Sequence, residues 1–515
     1  MNRAHILLLF GFVLIFGCIS QPSTPPSQLN TTYASNNATS HVAQTADQLF
    51  ASAKLQYDND NYTSASKLYA QAREAYTKQG NPGMEREAYY EMLRAMRTTY
   101  EFEYDEKTAM EMALNSTPKL PEELIQQVLD DKRNYIINES RRYYFTAFID
   151  NIYYRNLDLM RQKTKGGELD EFFGNMMPII LNKTEFNGSY MNPIRYELNE
   201  ELNLPRADLP ATGTLKIWIP LPTETESQKD IKIISIGPQE YMKGLPVTTG
   251  DIGFVYFEIP LNALKTDLNF TVNAEFTSYE QRFRVDPEKV GRYDTESEEY
   301  KKYTTSYGNT VITPEIKELA LKIKGNETNP YLIAEKIYWY VITNVPYSYM
   351  PHLMLEQKGI PEAQYVDEYQ VGDCGSQSMY FTALCRAVGI PARTIGGYQM
   401  FPPQIGTHFW AQFYLPNYGW IPVDTTVAEL ADRSDELTED ETKGYKEFFF
   451  GNLDAYRYVI QKDADVQPTP QPDESNMYSM VMQHPAFSCD TATEDLGAVI
   501  EDNRHIAIVP INENN

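Results

Sequence analysis

Long apolar runs are missing from this chain of 515 residues except at its start, where residues 6–16 (ILLLFGFVLIF) precede Gly17 and Cys18. At about 1.5 Å of rise per residue, that run makes a helix of roughly 16 Å, far short of the roughly 30 Å of a hydrocarbon core. With Arg3 ahead of it, it reads as an export signal rather than a span. Cysteine is scarce as well: beyond Cys18 there are Cys374, Cys385 and Cys489, too few for a disulfide framework. Cys374 and Cys385 would stand about three turns apart on one helix, roughly 16 Å, which is beyond bridging distance. Basic residues are outnumbered, with 45 Lys and Arg against 71 Asp and Glu, and the net charge of -26 argues against a nucleic-acid partner. No C-x-x-C or H-E-x-x-H spacing occurs, and the acidic stretch 429–441 carries no calcium-ligand pattern, so neither a metal nor a cofactor is expected.

What is present suffices for real cores: 42% of the residues are hydrophobic and 13% aromatic, and the length exceeds what one core serves. Gly17-Cys18, directly after the apolar run, resembles the lipobox of prokaryotic lipoproteins. That likeness implies that residues 1–18 are a signal peptide, that the Cys18 thiol takes a lipid, and that the protein sits on the outer face of the cell membrane, lipid-anchored or secreted. Residues 19–42, rich in Ser, Thr, Pro, Asn and Gln, read as a flexible linker. Glycosylation acceptor patterns at Asn30, Asn37, Asn61, Asn115, Asn138, Asn182, Asn187, Asn269 and Asn326 agree with export.

Over 43–165 apolar residues recur at helical spacing. Ala46, Leu49, Phe50, Ala53 and Tyr57 form one stripe; Tyr62, Ala65, Leu68, Tyr69, Ala72 and Tyr76 form the next, closed by Gly80-Asn81-Pro82-Gly83. The hairpin resembles one tetratricopeptide-type repeat. No second copy follows, so an N-terminal helical bundle is expected, with further helices at 84–100, 121–133 and 139–162. Over 182–286 the runs LKIWIPLP, IKIISIGP, FVYFEIPL and LNFTVNAEFTSYEQRFRV alternate as half-buried strands do, which predicts a central antiparallel β-sandwich-like domain. Helices return over 310–460, where 429–441 reads as a solvated acidic loop, and 461–515 reads as a Pro- and Asp-rich tail. The expected class is multi-domain α+β.

The chemistry concentrates in 371–426. Gly372 and Asp373 precede Cys374 at the start of a helix of small and apolar residues, which Gly389 and Pro391 end. A helix N-terminus favours a thiolate through its open amides and dipole. His408 lies in the strand-like run THFWAQFY and Asp424 ends the run GWIPVD, the two joined by the turn at 415–418. Antiparallel pairing would set the aspartate opposite the histidine, where it can hold the imidazole in one tautomer.

These blocks, G-D-C with G-I-P-A-R, then H-F-W-A-Q-F-Y, then G-W-I-P-V-D-T-T, resemble those of the transglutaminase-like superfamily of papain-like thiol enzymes. The resemblance covers about 333–424. It implies a papain-like α+β catalytic domain, with Cys374 as nucleophile, His408 as general base and then acid, and Asp424 as orienter. The backbone N–H of Cys374 and one of Gln370, Tyr369 or Trp339 would hold the oxyanion, while Arg393 would pair structurally near the site. Implied activities are hydrolysis of an amide bond (peptidase, amidase or deamidase) through a thioester on Cys374, or protein crosslinking. The implied partner is a protein or peptide, such as a cell-wall or surface protein. A surface binding module with a relic site is the competing expectation.

Overall fold

A computed structural model describes residues 44–180, 189–401, 405–472 and 480–511. The expected signal with Cys18, the linker 19–42, and Asn30, Asn37, Asn182 and Asn187 lie outside the described residues. Among the described residues no helix is long and apolar enough to cross a membrane.

The first helix, Ala46–Asp58, starts where Thr45 and Gln48 satisfy each other's backbone amides in a capping box. The second, Tyr62–Gln79, stops at Gly80, whose φ of 68° suits a residue without a Cβ. Ala53, Ala65 and Ala72 are buried in this hairpin, small enough to let its helices approach, and Pro82–Arg97 follows as a third helix.

Beyond residue 100 the chain departs from a pure bundle. Phe102–Asp105, Tyr135–Asn138 and Arg141–Phe145 form a three-stranded antiparallel sheet with the third of these in the middle. The helix expected over 139–162 is therefore corrected to a strand and two shorter helices, Phe148–Arg155 and Leu157–Thr164. Glu139 and Ser140 both have positive φ, which turns a two-residue hairpin, and the aromatic run RRYYF suits a pleated surface better than a helix. Asn138 lies buried, donating to the Thr63 hydroxyl and accepting from the Thr63 amide, so this glycosylation pattern is inaccessible in the folded chain.

The β unit has two antiparallel sheets. Tyr190–Leu204, Gln228–Gly237 and Leu268–Arg282 build one; Thr214–Pro220 and Phe254–Pro260 build the other. Leu268, Phe270, Val272, Ala274 and Phe276 point inward at every second position, as strand geometry requires, and pack with Leu198, Leu202, Ile217 and Phe257. The segment expected as a tail completes both sheets: Ala486–Cys489 pairs with Thr214–Pro220, and Arg504–Pro510 with Tyr190–Leu204. Each covers an edge that would otherwise present open amides and carbonyls. Short runs such as AFSC carry no local sign of partners almost 300 residues away.

The third unit sets the helices Pro314–Lys324, Pro330–Asn344, Glu362–Tyr369 and Cys374–Ala387 with a four-stranded antiparallel sheet. Its strand order is Gly419–Val423, Gly406–Leu415, Ala392–Gln399, Arg457–Gln461. One buried apolar cluster runs from Phe148 and Tyr154 in the N-terminal unit to Ile337 and Tyr380 here. Asn151 exchanges two hydrogen bonds with the Tyr349 backbone, of 3.0 and 2.7 Å. The stretch 429–441, expected as a solvated loop, begins instead with buried Glu429, which accepts from Gln377 Nε2 and the Tyr347 amide.

Phe276 is fully buried, stacked on Tyr196 at 5.4 Å and packed against Tyr458 at 5.2 Å. Phe276→Ala is expected to cost about 3 to 5 kcal/mol, read as a lower urea midpoint for loss of β structure by circular dichroism; an unchanged midpoint would contradict this packing.

Candidate active site

Cys374 is the first residue of Cys374–Ala387, a helix buried along nearly its whole length. Asp373 caps it: its Oδ1 accepts from the Ser376 amide at 3.0 Å, and Ser376 Oγ accepts from the Asp373 amide at 2.8 Å. The helix unwinds at Val388, and Gly389 takes a φ of 80°. First-turn amides point out of such a helix end, so the Cys374 position lies in their field.

The helix packs on the sheet so that Cys374 shares a small buried cluster with Met379, Phe409, Ala464 and Val481. Phe409 is the residue after His408, so the cysteine end of the helix lies at the histidine end of strand Gly406–Leu415. His408 Nε2 is 2.9 Å from Asp424 Oδ2. Asp424 follows strand Gly419–Val423 and caps the short helix Thr425–Ala428, its Oδ1 accepting from the Val427 amide.

Asp424 is fully buried, and burial alone would raise its pKa. The His408 ring and the Arg457 guanidinium beside it, with their hydrogen bonds, outweigh burial and hold it at about 2. A carboxylate ionised at neutral pH can only accept, so His408 carries its proton on Nε2 and leaves Nδ1 as the basic nitrogen.

Nothing in the sequence marks Arg457, which sits inconspicuously in the apolar run AYRYVI. Its Nη1 donates to Asp424 Oδ2 at 2.6 Å and its Nη2 to Asp454 Oδ2 at 2.8 Å. The rings of Trp410 and Phe401 lie 5.4 and 5.7 Å from its guanidinium carbon. His352 is a second such residue. Its Nε2 lies 2.6 Å from Asp373 Oδ2 and its Nδ1 2.8 Å from Glu362 Oε1. Nothing near His352 in the sequence signals these partners.

The three candidates for a second oxyanion donor have other occupations. Gln370 spends its amide on the carbonyls of Val366 and Asp367 and accepts from Tyr340, Tyr369 stacks on Tyr365 at 4.5 Å, and Trp339 lines a surface groove with Glu335, Lys336 and Asn344. Arg393 bonds Gln412 across paired strands at 2.8 Å and lies 4.0 Å over the Trp420 ring.

The segment after Gln461 covers this end of the sheet. Asp463 pairs with Arg386 at 2.7 Å, Val481 occupies the space above Gly396, and Gln483 Nε2 donates to the carbonyls of Gly397 and His408. Cys374 is only 2% exposed, His408 4% and Asp424 0%.

Residues 317–425 match the family model of the transglutaminase-like superfamily, and the chain carries a domain of that type there. An uncharacterised protein of Haemophilus influenzae is 27% identical over 292 residues, 51% of this chain and 77% of that protein. A protein-glutamine gamma-glutamyltransferase of Pseudomonas aeruginosa is 29% identical over 87 residues, 15% of this chain and 13% of that protein, so this likeness bears on the domain alone. Among solved structures, a cysteine protease candidate from Cytophaga hutchinsonii is similar with a TM-score of 0.38 and 15% identity, covering 63% of this chain and 93% of that one. The periplasmic domain of TgpA from Pseudomonas aeruginosa gives a TM-score of 0.22 at 15% identity, covering 49% and 93%.

Arg457→Met strands two buried carboxylates and is expected to cost about 3 to 5 kcal/mol of stability, measurable by chemical denaturation. Because the pKa of Asp424 falls from 3.8 to about 2 on folding, its charge stabilises the fold fully above about pH 4 and ceases to do so as pH drops through 2. Thermal midpoints recorded between pH 5 and 2 should fall more steeply for the wild type than for Asp424→Asn.

Proposed function

We propose that the transglutaminase-like domain at 317–425 makes this protein a thiol enzyme that acts on amide bonds of proteins or peptides, with water as the usual acceptor. The observation that carries this reading is the buried His408–Asp424–Arg457 chain, with Phe409, next to His408, packed against a cysteine that starts a helix. In the reduced chain His408 Nδ1 takes the proton of Cys374, and the thiolate attacks the amide carbon. The C=O π pair moves onto oxygen, and the anion meets the amide at the helix start. Collapse breaks the C–N bond, His408 returns its proton to the leaving amine, and a thioester remains on Cys374. Water, deprotonated by the same nitrogen, attacks the thioester and releases a carboxylic acid and the thiol.

Asp424 contributes by position. It keeps the Nε2–H pointed at itself, so the ring cannot turn its basic nitrogen away, and it stabilises the imidazolium formed in each half-reaction. Arg457 holds Asp424 in place and shares its charge. The export signal and the Cys18 anchor would put this chemistry on the outer face of the membrane, where water is plentiful as acceptor. Transfer to an amine is the second reading, favoured by the short match to a protein-glutamine gamma-glutamyltransferase.

The test uses the full chain under reducing conditions with glutamine-containing peptides and surface-protein fragments. Ammonia release or new peptide ends without incorporation of a labelled amine supports hydrolysis; incorporation supports transfer. Cys374→Ala should lower either by about 10⁴-fold or more, and Asp424→Asn by about 10² to 10⁴. Iodoacetamide at pH 7 should label Cys374 well before Cys385 and Cys489, which are free but buried, with burial pushing the Cys385 thiol far up. Slow, equal labelling of all three, with activity surviving Cys374→Ala, would sink the reading.

A further inference from the structure

The residue before the nucleophile carries a charge that the chemistry does not want. Asp373 is ionised, since burial, which would raise its pKa, is outweighed by His352 and by the bonds from Ser376. An aspartate is a good N-cap because it accepts from first-turn amides. A carboxylate one residue from a thiolate also repels it, and like charge at that range pushes a thiol pKa up. The helix end that favours Cys374 as an anion is thus opposed by its own cap.

His352 resolves that conflict. It stands at the start of helix His352–Lys358 with both ring nitrogens engaged, 2.8 Å from Glu362 and 2.6 Å from Asp373. Carboxylates accept, so a ring bonded to two of them donates twice and is an imidazolium. Burial works against that charge, but the two carboxylates hold the His352 pKa well above the ordinary histidine range. Among the described residues no group of His, Cys, Asp and Glu is arranged to hold a metal, so the ring is read with its carboxylates.

Other titratable groups face this cluster. Glu101, from the N-terminal unit, accepts from the Met354 amide, and burial pushes it up to about 7. Burial also raises Glu362. Tyr347 lies near Asp373, and Asp465, raised by burial to about 6, lies near Glu362. Arg433 lies 5.0 Å over the Tyr347 ring but pairs with Glu429, so His352 is the cation bonded to Asp373.

We propose that His352 is a positioning residue for the nucleophile: its imidazolium fixes the Asp373 cap and cancels the cap's charge, so that the start of the helix can stabilise the Cys374 thiolate. This rests on the reading of Cys374 as the nucleophile. His352 touches no reacting atom; it acts through Asp373.

The experiment measures iodoacetamide alkylation of Cys374 against pH in the reduced full chain, with sites resolved by peptide mass spectrometry. Wild-type Cys374 should titrate well below an ordinary thiol, and His352→Gln should move that midpoint up by about one to two pH units. Adding Asp373→Asn to His352→Gln should bring it back to near the wild-type value, because asparagine caps as well and carries no charge. A purely structural role for His352 predicts no such return. If His352→Gln does not fold, Asp373→Asn alone decides: with the cation left and the anion gone, the midpoint should fall, and an unchanged or raised midpoint overturns the proposal. A low wild-type midpoint that a folded His352→Gln leaves unmoved sinks this proposal alone. An ordinary wild-type midpoint sinks the thiol-enzyme reading, and the proposal with it.

Discussion

One guanidinium holds the centre of this molecule in its charged state. Arg457 lies between Asp424 and Asp454, all three buried, and without it two anions would face an apolar interior alone. Burying a carboxylate is costly, and proteins tolerate it when a cation and hydrogen bonds compensate. Here the compensation has a second effect. Because His408 and Arg457 together keep Asp424 ionised, His408 must present its Nε2–H to that carboxylate, and the basic nitrogen is fixed as Nδ1. The sheet enforces the arrangement: Arg457 comes from the last strand in the order and Asp424 from the end of the first, so both edges must be in place.

A similar pattern recurs where the units meet. Arg97 pairs with Asp495, Arg386 with Asp463, and Arg504 with Glu200, each largely buried and each joining segments far apart in the chain. Such pairs add little net stability over apolar packing, but a wrong register leaves a charge stranded. The C-terminal segment takes part in all three or adjoins them, closes two sheet edges and covers the cysteine. The units read separately along the chain are therefore parts of one interlocked body, in which the thiol site is internal.

Legibility in the sequence followed the range of the interaction. Ala53, Ala65 and Ala72 mark a helix crossing because small residues at helical spacing are a local fact. The strand Leu268–Arg282 shows its period of two for the same reason. Cys374, His408 and Asp424 stood out because each sits in its own short block. The strand Arg141–Phe145 was misread as helix because the positive φ of Glu139 and Ser140 leaves no mark in composition. The pairing of the strands at 486–489 and 504–510 is invisible in the sequence because their partners are edges of other units. Gln370, Tyr369 and Trp339 are alternatives for one oxyanion donor by resemblance alone, whereas the fold commits Gln370 to hydrogen bonds with nearby carbonyls and with Tyr340, and stacks Tyr369 on Tyr365.

By itself the sequence determined which residue types stand at a helix start and along two adjacent strands, and so the class of chemistry open to the chain. Helix caps, strand period and turn residues act over a few positions, and short-range physics can be read in order. Only the tertiary structure decided which charges share a buried space. It set Arg457 against Asp424, placed His352 between Glu362 and Asp373, and laid the last segment over Cys374. Those contacts follow from desolvation, which depends on everything that surrounds a group and on nothing adjacent to it in the chain.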